Sequence, residues 1–164
     1  MRRSPRATRG LTVGVTALAT PTTSSSTSTR PPATSDLNGA DAGKAVDDDG
    51  STAWTTGTGQ APGQQLTVDL RAPVDVRKVV LDAGFTTADP AQWWTPGIPS
   101  DDYPRGVRLL TSSDGQTWTE ASSAQGTGQL TTLSADGSPV RWLRLELTDA
   151  SATWWSVADL RVHT

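Results

Sequence analysis

Short segments with an apolar residue at every second position recur along this chain from residue 66 onwards. Clear examples are residues 66–70, 107–111 and 143–147, and each is bounded by Gly, Pro, Asp or Ser. A period of two places alternate side chains on one face of a strand. Segments repeating about every ten residues with turn signals between them are typical of an antiparallel sandwich or barrel. The sequence therefore predicts an all-β fold with at most minor helices.

Cysteine and histidine usage excludes several kinds of chemistry. The chain has no cysteine, and its single histidine, His163, lies next to the C-terminus. A disulfide framework, a thiol nucleophile, a thiolate metal site, a Ser-His-Asp triad and a multi-histidine zinc site are all excluded. No apolar run reaches the roughly 18 residues that a membrane span needs.

Charge is distributed unevenly along the chain. Residues 1–35 hold five arginines and no acid, so the other 17 acidic and nine basic residues give residues 36–164 a net charge of −8. An acidic body of this kind does not predict nucleic-acid binding. It is compatible with a cation site or with a neutral ligand.

The N-terminal region differs in composition from the rest. Residues 1–19 are basic, then mildly apolar, and end in Ala-Leu-Ala, which is the order of a secretory signal and predicts a secreted, extracellular protein. Alternatively, residues 11–19 form the first strand of the fold. Residues 20–36 are rich in Ser, Thr and Pro, which predicts a linker that cannot form a core. The folded domain is expected to span residues 37–164.

An acidic loop follows this linker. Asp47 and Asp49 are followed by Gly50 and the hydroxyl of Thr52. Hard cations such as Ca²⁺ bind clusters of carboxylate, carbonyl and hydroxyl oxygens. The loop therefore predicts a cation site, and a solvated acidic turn is the alternative.

A second motif, Ser112 to Trp118, contains the dipeptide Asp114-Gly115 between two strand-like segments. Asp-Gly between strands is a tight-turn signal. The motif is predicted to be a hairpin with Trp118 in the core behind it.

Tryptophan is over-represented, with seven copies against one Phe and one Tyr. Trp93 and Trp94 lie in a long, proline-rich polar stretch, residues 86–104. Long loops are commonly functional, and indole rings on a polar loop need either a ligand or a surface to cover. An aromatic plane covers the flat C–H face of a sugar well. Adjacent side chains tend to diverge, so at least one of these two rings is expected to be exposed; the alternative is a rigid loop pinned over the sandwich.

Polar side chains beside these rings offer hydrogen bonds to sugar hydroxyls. They are Asp101, Asp102, Tyr103 and Arg105, with a further Trp pair at Trp154 and Trp155. The loop is therefore predicted to form a ligand-binding surface.

An ordered set of motifs resembles one known family. The motifs lie at residues 45–57, 62–70, 79–84, 102–107, 112–118, 140–148 and 154–162. Together they resemble the coagulation factor 5/8 type C, or discoidin, domain, and especially the bacterial branch similar to family 32 carbohydrate-binding modules of secreted glycosidases. The resemblance covers residues 37–164 and implies an eight-stranded jelly-roll sandwich.

The resemblance also implies a structural calcium ion. The matching ligands are the carbonyl of Lys44, the side chains of Asp47, Asp49 and Thr52, the carbonyl of Ala158, and Asp159. Two positions depart from the family pattern. Asp48 stands where the family has Gly, and Asp159 stands where it has the longer Glu.

For function, the resemblance implies a monomeric, non-catalytic module that binds a glycan or polysaccharide. The expected ligand residues are Trp93, Trp94, Asp102, Tyr103, Arg105 and Trp154. The early His and the later Asn of many galactose-binding relatives are missing, so no particular sugar is predicted. A protein- or cell-surface adhesion module is the alternative binding function. A small glycoside hydrolase, with Asp89 paired to Asp101 or Asp102, is the alternative from another class.

Overall fold

Short antiparallel strands make up most of the structure, a computed structural model that describes residues 30–86 and 98–164. These residues form a 3-10 helix, Gly39–Val46, and twelve strands. The strands are β1 (Ala33–Ser35), β2 (Trp54–Thr55), β3 (Gln65–Asp75), β4 (Lys78–Asp82), β5 (Phe85–Thr86), β6 (Ile98–Pro99), β7 (Val107–Ser112), β8 (Thr119–Ala124), β9 (Leu130–Ser134), β10 (Pro139–Leu147), β11 (Ser156–Val157) and β12 (Asp159–His163). Within these two ranges no helix is long and apolar enough to span a membrane.

The larger sheet has five strands in the order β1-β3-β10-β7-β8. Leu145 of β10 lies opposite Leu66 of β3 on one side and opposite Leu109 of β7 on the other. All three side chains are completely buried. Directly opposed residues lie on the same face of a sheet, so this register collects the inward leucines of three strands in one row.

The second layer is a three-stranded sheet in the order β12-β4-β9. Leu81 of β4 lies opposite Leu160 of β12, and Val79 lies opposite Leu133 of β9. These residues belong to the same buried cluster as the leucines of the larger sheet. The two sheets thus contribute eight strands to one sandwich, and the predicted all-β fold is confirmed.

An aromatic pair closes the core at the side of the short sheet formed by β2 and β11. The rings of Trp54 and Trp155 meet edge to face, with centroids 4.9 Å apart and planes at 87°. Both residues are fully buried, and the Trp54 indole donates to the Leu37 carbonyl at 2.9 Å. The edge-to-face arrangement is the one that aromatic quadrupoles favour.

The domain begins earlier than predicted. Ala33–Ser35 pairs with β3, and the Ser35 hydroxyl donates to the Gln65 carbonyl at 2.7 Å. The predicted linker, residues 20–36, therefore ends in a strand, and the boundary at residue 37 is too late. Residues 1–29, which include the predicted signal sequence and its alternative as a first strand, lie outside the described part of the chain.

The predicted hairpin at Asp114-Gly115 is present between β7 and β8. Gly115 has φ +75, a conformation that glycine adopts without strain. The Asp114 carboxylate accepts bonds from the Gln116 and Thr117 amides at 2.8 and 2.7 Å. Trp118, however, is half-buried with the Arg144 guanidinium 4.0 Å from its ring centre, so the prediction of a core residue is wrong.

Candidate functional site

The segment that carries the predicted polar ligand residues is anchored on both sides. The Ser100 amide donates to the Gly84 carbonyl at 2.9 Å, and the Asp102 amide donates to the Ser100 hydroxyl at 3.1 Å. On the other side, the Gly126 amide donates to the carbonyl of buried Pro104 at 3.1 Å. The following residues enter β7, so this loop is held to the body at its beginning and its end.

Arg105 is the charged centre of this loop. Its guanidinium carbon lies 3.8 Å from the centre of the Tyr103 ring, a cation–π contact. Its Nη2 lies 3.1 Å from the Asp101 carboxylate and 3.3 Å from the Thr153 hydroxyl. The side chain remains 24% exposed. The guanidinium is thus fixed in orientation on a side chain that stays partly exposed.

The adjacent tryptophans 154 and 155 point in opposite directions. Trp155 is fully buried against Trp54, whereas Trp154 is 48% exposed. An exposed apolar ring can cover the apolar face of a ligand, and Arg105, which the same loop holds through Thr153, can donate to its oxygens. This loop, residues 151–156, therefore supplies the ring of the candidate site.

Asp102 is engaged in holding the two loops together. Its carbonyl accepts from the Ser156 amide at 2.8 Å, and its carboxylate accepts from the Ser156 hydroxyl at 3.2 Å. Asp101, by contrast, is exposed and keeps its carboxylate at the surface beside Arg105. Of the two neighbouring acids, Asp101 is the one placed to accept from a ligand hydroxyl.

A buried amide that sequence reasoning missed joins these loops. Gln60 is only 3% exposed, and its side chain bonds to the Tyr103 and Trp154 carbonyls and to the Arg105 amide, each at 2.9 Å. A glutamine between Gly59 and Ala61 carries no motif, so only its tertiary position reveals it. The structure brings Tyr103, Arg105 and Trp154 together around this residue.

Trp93, Trp94 and Asp89 lie outside the described residues. Their predicted roles as ring platform and as hydrolase carboxylate therefore stay predictions.

The acidic loop is held by hydrogen bonds among its own residues. The Thr52 hydroxyl donates to Asp47 Oδ2 at 2.8 Å, and Asp47 Oδ1 accepts from the Asp49 amide at 3.0 Å. Bonds from the Ser51 hydroxyl and then from its amide lower the pKa of Asp49. Asp48 adopts φ 60, the positive region implied by the family glycine at that position. The loop thus keeps the bend despite the substitution.

Asp159 is buried at the start of β12 and lines the same hollow as Val46 and Asp48. Its Oδ2 accepts from Arg161 Nε at 2.7 Å. Among residues 30–86 and 98–164, no three His, Cys, Asp or Glu side chains converge as a metal cluster. A cation here would rest on a mixture of carboxylate, hydroxyl and carbonyl oxygens, a donor set that fits a hard ion. Lys44 directs its ammonium to Asp41 at 2.8 Å, so its predicted contribution concerns the carbonyl alone.

Many solved structures share this fold at low sequence identity, among them three carbohydrate-binding modules. Chitosan-binding module 1 of a chitosanase/glucanase from Paenibacillus sp. IK-5 is 19% identical, with a TM-score of 0.64 over 82% of this chain and 94% of that one. CpGH89CBM32-5 from Clostridium perfringens, solved with GalNAc-β-1,3-galactose, is 19% identical with a TM-score of 0.64 over 82% and 95%. The family 32 module of NanJ from C. perfringens, solved with galactose, is 17% identical with a TM-score of 0.61 over 80% and 92%.

No curated protein matches the sequence. The family model of the F5/8 type C domain matches residues 21–160, which is most of the chain. Together with the sandwich described above, this match shows that the chain belongs to the F5/8 type C domain family.

Proposed function

We propose that this protein is a non-catalytic carbohydrate-binding module that attaches a secreted protein or glycosidase to glycans. The observation that carries the proposal is the half-exposed Trp154 ring on the loop whose Thr153 hydroxyl holds the Arg105 guanidinium at 3.3 Å. Structural neighbours that were solved with galactose or GalNAc-β-1,3-galactose support a saccharide as the ligand.

Binding would use contacts that the two loops already hold in place. Trp154 covers the apolar C–H face of a sugar ring, Arg105 donates to hydroxyl oxygens, and Asp101 accepts from hydroxyl groups. Because Arg105 is held by Asp101 and Thr153, less conformational freedom is lost on binding. The acidic body favours neutral or amino-bearing saccharides over anionic ones.

Several observations favour binding over hydrolysis. A glycosidase needs a carboxylic acid with a raised pKa and a second carboxylate facing it. Among the described carboxyl groups, every resolved pKa shift is downward; these groups are Asp49, Asp69, Asp114 and Asp136. Glu146 is engaged in an ion pair with Arg108 at 2.7 Å on a sheet strand.

A calcium ion is part of the proposal as a structural group. Asp47, Asp49, Thr52 and Asp159 would hold it together with the carbonyls of Lys44 and Ala158. An ion bound there supplies no chemistry to a ligand. It would join the loop after the 3-10 helix to the last strand, and so stabilise the end of the sandwich at which chain segments distant in sequence meet.

Protein adhesion is the second candidate, because two more apolar side chains are exposed. Phe85 is 58% exposed and Leu130 is 56% exposed. Their segments are joined by a bond from the Ala83 amide to the Gln129 carbonyl at 2.9 Å. Exposed apolar side chains of this kind also suit a protein partner.

A printed glycan array, probed with and without EDTA, tests the proposed function. We expect binding to a restricted set of neutral or amino-bearing glycans and no turnover of aryl-glycosides. Absence of binding to every glycan would contradict the proposal and favour the adhesion function. Turnover that is lost in Asp101→Asn would instead support the hydrolase.

A further inference from the structure

The side chain of Gln60 forms a buried junction between the loops of the candidate site. Its Nε2 donates to the Tyr103 carbonyl and the Trp154 carbonyl, both at 2.9 Å, with the Thr153 hydroxyl further away at 3.3 Å. Its Oε1 accepts from the Arg105 amide at 2.9 Å. One amide group thus contacts four residues that belong to two separate loops.

These partners fix the orientation of the amide. The two short Nε2 contacts are to carbonyl oxygens, which only accept, and the Oε1 contact is to an N–H, which only donates. A flipped amide would place donor against donor and acceptor against acceptor. Because the group is buried, water cannot replace the lost bonds.

The backbone of Gln60 is fixed to one of the loops as well. Its amide donates to the Thr153 carbonyl at 3.1 Å, and its carbonyl accepts from the Ser151 amide at 3.0 Å. The preceding Gly59 permits this approach, since a Cβ there would lie 2.8 Å from the Ser151 carbonyl oxygen. The backbone of Gln60 is therefore bonded to residues 151–153, and its side chain is bonded to residues 103–105 as well as to residues 153 and 154.

We infer that Gln60 is a positioning residue for the saccharide site: it sets the spacing between the Arg105 guanidinium and the Trp154 ring without contacting ligand. The expected effect of Gln60 on glycan binding rests on the proposed function, whereas its expected effect on the two loops does not. It also predicts that the two loops loosen together, because the same side chain supplies bonds to both.

Amide hydrogen exchange of the full chain, measured without ligand, tests the loop effect. Gln60→Met keeps the side-chain volume and removes all the side-chain hydrogen bonds of residue 60, while its backbone hydrogen bonds can remain. We expect exchange at the Arg105 and Ser156 amides to become about tenfold faster or more, while Leu143 and Leu145 in β10 keep their rates. Gln64→Met is the matched control, since the Gln64 side chain makes a single hydrogen bond, to the Gly59 carbonyl at 3.1 Å.

A second variant separates the two halves of the junction. Gln60→Glu keeps an acceptor for the Arg105 amide but removes the donors to the Tyr103 and Trp154 carbonyls. We expect Arg105 to stay protected while Ser156 exchanges faster, a split that a general loss of stability would not produce. Wild-type exchange rates at Arg105 and Ser156 in both variants would overturn the inference.

The printed glycan array tests the consequence for binding. Glycans bound by the wild type should lose about tenfold or more of their affinity for Gln60→Met and none for Gln64→Met. Unchanged affinity with loosened loops would overturn the positioning role. If the wild type binds no glycan, the proposed function fails, whereas the exchange rates still decide whether Gln60 joins the loops.

Discussion

Arg105 and Arg144 both lie over aromatic rings, but in different settings. Arg105 lies 3.8 Å over Tyr103 in the candidate site, whereas Arg144 lies 4.0 Å over Trp118 on the outer face of the larger sheet. The pair gives a matched test of the site. Arg105→Ala should lower glycan affinity by about tenfold to a hundredfold, the range expected when about 1–3 kcal/mol of contacts is lost.

Arg144→Ala is the control, since it removes a similar contact elsewhere. We expect it to leave glycan affinity unchanged in a titration, while both variants melt within a few degrees of the wild type. Equal loss of affinity in the two variants would show that Arg105 has no special place in binding.

Asp114 gives a pH-dependent prediction at the same scale. Bonds from the Thr117 and Gln116 amides lower its pKa from 3.8 to about 2. A lowered folded-state pKa contributes stability that is complete above the unfolded value and is lost as pH falls towards the folded value. The melting-temperature gap between wild type and Asp114→Ala should therefore narrow from about pH 5 to about pH 2.

Asp75→Ala removes an exposed carboxylate outside the hairpin and controls for net charge. The difference in melting temperature between Asp75→Ala and the wild type should change less over the same pH range. A gap for Asp114→Ala that stays constant down to the lowest pH would contradict the role of these hairpin bonds.

Individual residues show where sequence reasoning succeeds and where it stops. Trp154 is half-exposed and Trp155 is buried, whereas the divergence predicted for Trp93 and Trp94 lies outside the described residues and stays a prediction. The hairpin motif predicts Trp118 in the core, but it is half-buried with Arg144 over its ring. Gln60 acquires its role from partners about 40 and 90 residues away, which no local pattern contains.

At the scale of elements, alternation predicts the central strands well and the edge strand poorly. Leu143, Leu145 and Leu147 are all buried as their spacing indicates. β1 consists of Ala, Thr and Ser, so it has almost no apolar signal, and only its pairing with β3 identifies it. The predicted domain boundary at residue 37 is too late because this strand carries almost no apolar signal.

Shortening the chain tests the boundary. A shortened chain of residues 30–164 should have the same melting temperature as the full chain. A chain of residues 37–164 lacks β1, and the edge of β3 is exposed. We expect a loss of at least about 1 kcal/mol, or roughly 4 °C, from the missing backbone and Ser35 bonds. Identical melting of the two shortened chains would contradict the contribution of β1.

At the scale of the whole molecule, the proposed calcium ion would join parts of the chain that are far apart in sequence. An ion that binds only the native state stabilises it by about 2.7 kcal/mol at 100 times its Kd. EDTA should therefore lower the melting temperature of the wild type by several degrees, and Asp47→Ala should lower it without further response to EDTA.

Asp136→Ala, at the turn before β10, removes a carboxylate from outside the acidic loop and should keep the response to EDTA. Melting curves of the wild type that coincide in Ca²⁺ and in EDTA would refute the ion. The family resemblance implies the calcium ligands, but this chain departs from the family pattern at Asp48 and Asp159. The EDTA experiment therefore tests whether this particular loop binds the ion.

The proposed saccharide site lies at the loops that carry Arg105 and Trp154. Chemical-shift perturbation, with the glycan selected on the array, locates the binding surface directly. We expect shifts at the Trp154 indole N–H and the Arg105 amide, with the Trp118 and Trp142 indoles on the sheet unchanged. Shifts confined to Trp118 and Trp142 would place the ligand on the sheet and rule out the proposed site.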